Sequence, residues 1–205
     1  MSAGLADARA SGVDWRRAEF VLTALGFAGF LTIGIRLRTI YGGLPAHPLF
    51  IHVPVVLIPV SVLGALACVA RPAWLGRFGI ALSLCAIVAM SSIFLAMEAG
   101  AALLPALHLT GYRLHLILMH QQAAHILAIV FVLFTACLIL TFSAHRISGG
   151  WPTGLGIADA ILGSRAVYLL LRAALVLLAL VSAYYVFRVG DLGAKAVWLG
   201  RLHNA

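Results

Sequence analysis

Charge is scarce in this chain. Only 10% of its 205 residues are Asp, Glu, Lys or Arg and 63% are hydrophobic, whereas ordinary soluble domains are roughly a quarter charged. That balance excludes a water-soluble globule. Acids are scarcer still, 6 against 14 Lys and Arg, for a formal net charge of +8. The basic residues form no run, so the excess reads as charge flanking membrane segments, and nucleic acid is not an expected partner. Cysteine is sparse as well. Cys68, Cys85 and Cys137 sit inside apolar stretches without CxxC or CxxCH spacing, which argues against a disulfide framework, a structural zinc site and covalent haem attachment. Also missing are a phosphate-binding loop, a nucleophile constellation and a paired-carboxylate motif, so the chain is not expected to act as an independent enzyme.

What is present is long apolar sequence. A spanning helix needs about 20 mostly apolar residues. Runs on that scale fall at 19–40, 48–70, 78–104, 114–142 and 166–187, and predict an all-α integral membrane protein, a helical bundle of five transmembrane spans lying in a lipid bilayer. Arg36 and Arg38 shorten the apolar part of the first run to Phe20–Ile35. Residues 1–18 form a polar N-terminal segment, with no cleavable signal expected. The Gly-rich stretch 143–165 reads as a loop whose tail, Ile157–Leu162, forms a short interfacial helix. No sequence repeat is evident. Loop charge sets orientation. With the N-terminus inside, Arg9, Arg16, Arg17, Arg71, Arg77, Arg146 and Arg165 are cytoplasmic, against Arg36, Arg38, Arg113, Arg188, Lys195 and Arg201 outside; the bias toward a cytoplasmic N-terminus is slight.

Histidine is the chemistry-bearing residue. Five spans place His47, His52, Glu98, His108, His115, His120, Asp191, Lys195 and His203 at one end of the bundle, with His125 deeper below it and only His145 clearly at the other. Ionisable groups inside a membrane mark a functional site by default. At 1.5 Å per residue, His52 lies roughly 6 Å and His120 roughly 9 Å into parallel helices, so their imidazoles are expected to meet. Five residues turn a side chain by about 140°. His47 and His115 therefore point apart when His52 and His120 point together, and His115, His120 and His125 fan around one helix. Two opposed imidazoles in a helical bundle suit the axial positions of haem b. The alternative is a copper or iron site in which Met97 and Met119 add soft ligands. Glu98 is placed to orient a ligating ring. Arg172 is expected to snorkel to headgroups near the opposite end.

The stretch Gly43-Leu-Pro-Ala-His-Pro-Leu-Phe-Ile-His-Val-Pro54 resembles the G-x-P-x-H-P-x-x-x-H-x-P signature of the bacterial membrane family catalogued as domain of unknown function 2231. Glu98-Ala-Gly100 is similar to the end of that family's next helix, His120-Gln-Gln-Ala-Ala124 to its H-E-x-x-A stretch, and Asp191-Leu-Gly-Ala-Lys-Ala-Val-Trp198 to its closing H-L-G-G-x-x-V-Y. Gln121 stands where an acid is usual, and Asp191 where His is frequent. The resemblance covers residues 43–198 and implies a four-helix membrane core with His47, His52 and His120 in motif positions. Residues 19–40 are then an added transmembrane helix and 199–205 a C-terminal tail. It also implies a bacterial inner (cytoplasmic) membrane location.

The leading expectation is a haem-b-binding, cytochrome b-like membrane protein that transfers electrons, as a small subunit or partner of a larger respiratory complex. His52 and His120 are its expected axial ligands, His47, His115 and His125 the alternates, and Glu98 a supporting residue. The competing expectations are a copper or iron binding or transport protein and a structural accessory subunit.

Overall fold

The computed structural model describes residues 15–35, 37–39 and 43–202. Most of the polar segment 1–18, together with Arg36 and His203, lies outside the described residues. Helix α1 spans Trp15–Gly29 and tightens into a 3-10 turn at Phe30–Thr32. After an irregular connection come α2 (Ala46–Phe50), α3 (His52–Ala70), α4 (Ala73–Leu103), a 3-10 turn at Leu104–Leu107, α5 (Gly111–Ser148), α6 (Gly156–Leu162) and α7 (Arg165–Leu202).

Four helices are long and apolar enough to cross a membrane: Ala46–Ala70, which joins α2 to α3, then Ala73–Leu107, Gly111–Ser148 and Arg165–Leu199. The protein is therefore an all-α integral membrane protein. The N-terminal helix is shorter than the expected 19–40, its apolar part running Phe20–Thr32. The chain turns extended at Ile33 (ψ 129°), and Gly34 follows at φ +88°, a turn that glycine tolerates without steric cost.

Each break between spans has a local cause. Pro72 pushes Arg71 out of the helical region, to φ −128° and ψ 87°, and α4 starts immediately after. Between α4 and α5, His108 takes a left-handed conformation and extended Thr110 caps α5. Between α5 and α7, Gly150 and Gly154 both have φ of +88°. There Asp159 accepts hydrogen bonds from Thr153 N, Thr153 Oγ1 and Gly154 N, pinning the turn ahead of α7. Helix α6 matches the short helix expected at Ile157–Leu162.

Helices α3, α4, α5 and α7 pack as a closed ring, α3 on α4, α4 on α5, α5 on α7 and α7 back on α3. Lipid tails give no hydrophobic drive for this, so close packing of small residues must supply it. Ala65, Ala86, Ala89, Ala144 and Ala179 are fully buried. Gly79 lies so close to Phe142 that a β-carbon there would overlap the ring. Large side chains fill the centre: Phe131, Phe134, Ile58, Leu75 and Leu138. Helix α1 lies against α4, with Leu22 in the core and Gly29 beside Ser91 and Met90.

Two helices run well past their apolar stretches. Helix α5 starts at Gly111 rather than 114, and α7 continues to Leu202 rather than stopping at 187. The α7 extension packs Leu192 and Ala196 against Leu116 and Ala123 of α5 in a separate small core, closed by Met119 and Val189. A hydropathy window misses this because it tracks lipid contact, not helix continuity.

Arg172 does not snorkel freely. Its Nη2 donates to the Val69 carbonyl near the end of α3. Its guanidinium lies 5.5 Å over the Tyr168 ring, whose hydroxyl is 3.4 Å from Nδ1 of His145. The group ties α7 and α5 to the α3 terminus at the end away from the other histidines.

Candidate functional site

Two histidines meet, and one of them is not the expected partner. The ring facing His120 is that of His47, with centroids 6.3 Å apart and planes at 89°. His52 is exposed on the outside of the bundle. The rotation argument holds, since His47 and His52 do diverge, but it selects the other member of the pair. Ile51 keeps near-helical angles (φ −65°, ψ −22°), so the turn passes almost unbroken from α2 into α3. Helix α2 packs on the end of α4, with Ala46 fully buried and its N–H bonded to Arg38 O. That docking faces His47 inward and leaves His52 outside. The depth estimate failed for a related reason. His47 is the second residue of its span and His120 the tenth of α5, so α5 begins about 12 Å further out than α2.

The two rings are held in the same way. Nδ1 of His47 is 2.7 Å from the Ala96 carbonyl, and Nδ1 of His120 is 2.9 Å from the Val189 carbonyl. A carbonyl only accepts, so both neutral rings carry their proton on Nδ1 and leave Nε2 as a lone-pair donor. In each case the residue four further along the same helix is glycine, Gly100 after Ala96 and Gly193 after Val189. A helix places that side chain beside the carbonyl one turn back. A β-carbon at Gly100 would come 3.0 Å from Nδ1 of His47, and one at Gly193 would come 3.2 Å from Cε1 of His120. The glycines are therefore what allows the imidazoles to reach the helix backbone.

The correspondence goes further. Ala96-Met-Glu98-Ala-Gly100 and Val189-Gly-Asp191-Leu-Gly193 share an apolar residue, an acid two on and a glycine four on. Each stretch lies toward the end of the second helix of an antiparallel pair whose first helix carries the histidine it seats. This is a short internal correspondence that no repeat in the sequence suggests. The midpoint acids lie about 200° around the helix from the seats. The bonds that orient the two rings come from main-chain carbonyls. Asp191 pairs with Lys195 at 2.7 Å in an exposed bridge.

The remaining candidates lie apart. His115 and His125 are exposed on α5, and Nδ1 of His125 bonds the Gln121 carbonyl of its own helix at 2.8 Å. Met97 packs into the main core and Met119 into the small one. Among the described residues, no three or more His, Cys, Asp or Glu side chains converge as a metal site. Sequence reasoning missed Gly100 and Gly193. The available signal was glycine inside a helix, which costs about 1 kcal/mol relative to alanine and so calls for a packing reason.

All four motif stretches quoted from the sequence thus converge on the two rings: His47 from the first, Gly100 from the second, His120 from the third and Gly193 from the fourth. Neither a curated protein nor a solved structure matches the chain. The family described as predicted membrane protein, domain of unknown function 2231, matches residues 43–205, from just ahead of the first histidine to the end of the chain. The chain belongs to that family of membrane proteins.

Proposed function

We propose that this is a haem-b-binding membrane protein that transfers electrons, in which His47 and His120 would hold the haem iron. The observation that carries the reading is the imidazole pair, with each Nδ1–H tied to a main-chain carbonyl and each Nε2 left as a lone-pair donor. Such a bond from the far ring nitrogen is what fixes tautomer and orientation in metal-ligating histidines. The two rings also lie close together, with centroids 6.3 Å apart.

The donor set fits haem better than a bare ion. Two imidazoles suffice when a macrocycle fills the other four positions, whereas a bare copper or iron site needs more protein ligands. Met97 and Met119, the soft ligands such a site would draw on, are packed into two separate apolar clusters. Haem, when bound, supplies a one-electron couple. The chain's part is to hold both rings against rigid helices, so that little rearranges between oxidation states. The site lies at one end of the bundle, where a partner subunit of a membrane redox complex can approach. A bacterial inner membrane is the proposed location.

The test is the visible spectrum of the purified protein before and after dithionite. A Soret band that sharpens on reduction, with α and β bands of low-spin iron, is expected. Loss of those bands in His47→Ala and in His120→Ala, with retention in His52→Ala, supports the assignment. A colourless protein expressed with ample haem overturns it.

A further inference from the structure

At the end of the bundle away from the paired histidines, α3 and α4 leave an apolar groove on the outer surface, with a volume of about 340 Å3. Small residues, Gly64, Ala67 and Ala81, line it. Gly64 is hemmed in by Leu82, so the floor is closed to a larger side chain on α3. From Val60 to Cys68 the groove follows α3 over roughly 12 Å. It lies within the two spans and so at the depth of lipid tails.

The rim of the groove is different in character. Trp74 and Phe78 border it at the α4 start, and each ring carries a guanidinium: Arg71 lies 5.4 Å from the Trp74 centroid and Arg77 lies 5.3 Å from the Phe78 centroid. Both arginines are exposed, and neither has a carboxylate partner among the described residues. Asp159 accepts hydrogen bonds from the Thr153–Gly154 turn. Two guanidiniums thus stand on aromatic rings at the mouth of an acyl-sized slot. Arginine's planar fork matches a phosphate oxygen pair, and basic sites between spans recognise anionic headgroups.

We infer that this groove is a binding site for an anionic phospholipid, with one acyl chain lying over Gly64, Ala67 and Ala81 and the phosphate held by Arg71 and Arg77. The site is independent of the histidine pair and stands whether or not that pair binds haem.

Native mass spectrometry of the full chain in mild detergent tests it, with separate titrations of phosphatidylglycerol, phosphatidylcholine of the same acyl chains, and inorganic phosphate. Phosphatidylglycerol is expected to be retained at least tenfold more tightly than phosphatidylcholine. The double variant Arg71→Gln/Arg77→Gln loses that preference. Ala81→Phe, an exposed position whose larger ring fills the slot, weakens both lipids. Equal retention of the two lipids by the native chain overturns the inference, as does a preference that survives in the double variant. Displacement of phosphatidylglycerol by inorganic phosphate at equal concentration also overturns it, because the groove then contributes nothing.

Discussion

Gly193 seats the ring of His120: a β-carbon there would come 3.2 Å from Cε1 and 3.3 Å from Nδ1, beside the Val189 carbonyl that the same nitrogen bonds. The seat can be tested apart from stability. Alanine is about 1 kcal/mol better than glycine inside a helix, so Gly193→Ala should melt at the same temperature as the native protein or higher. The ring must shift by a few tenths of an ångström to accommodate it. Under the haem reading, affinity should fall about tenfold, roughly 1.4 kcal/mol, and Gly193→Val should lose the cofactor. Melting temperature and haem titration read the two effects separately. Native affinity in Gly193→Val would show that the seat does not position the ring.

The equivalent seat on α4 makes a parallel prediction. Gly100→Ala brings a β-carbon 3.0 Å from Nδ1 of His47 and should disturb the bound spectrum as Gly193→Ala does. Glu98→Gln, on the other side of the same helix, should leave it unchanged. An altered spectrum in Glu98→Gln with an unaltered one in Gly100→Ala would reverse the roles assigned to those residues.

Helix packing gives a prediction that does not depend on function. Phe142 is fully buried, so its ring cannot yield to a methyl group at Gly79. Overpacking of this kind costs about 1–3 kcal/mol, and Gly79→Ala should lower the thermal midpoint in detergent despite alanine's better helix propensity. Adding Phe142→Leu should restore part of the loss, because the two sites are in contact and their effects couple.

Arg172 should act as a clamp. Replacing it with Met keeps much of the stem's volume but removes the hydrogen bond to the Val69 carbonyl and the guanidinium over Tyr168. A hydrogen bond from a charged donor contributes about 1.5–3 kcal/mol. As the group is only half-buried, about 1–2 kcal/mol is expected, read as a lower melting temperature. A variant as stable as the native chain would mean the side chain merely lies on the surface.

The class of this protein is written in its composition. Apolar runs near bilayer length permit only helices, since backbone groups in hydrocarbon must be satisfied within the segment. Four of the five expected spans and their order were legible for that reason. The short helix at Gly156–Leu162 was legible from its turn-rich approach.

The site's geometry was not. Periodicity gives the angle between His47 and His52 but no absolute direction, because direction is set by what α2 docks against. Buried Ala46 on α4 turns His47 inward, and that contact is tertiary. Relative depth was equally hidden, since helix starts are not level: α5 and α7 rise past the lipid-facing stretch on a core of their own, Leu116 against Leu192. What sequence alone determined is what each helix carries, two histidines and two apolar–acid–glycine stretches. Only packing decided that the carbonyl and glycine of each stretch receive one of the histidines, because a main-chain acceptor is present at every position of a helix and becomes specific only where a missing side chain lets a ring reach it.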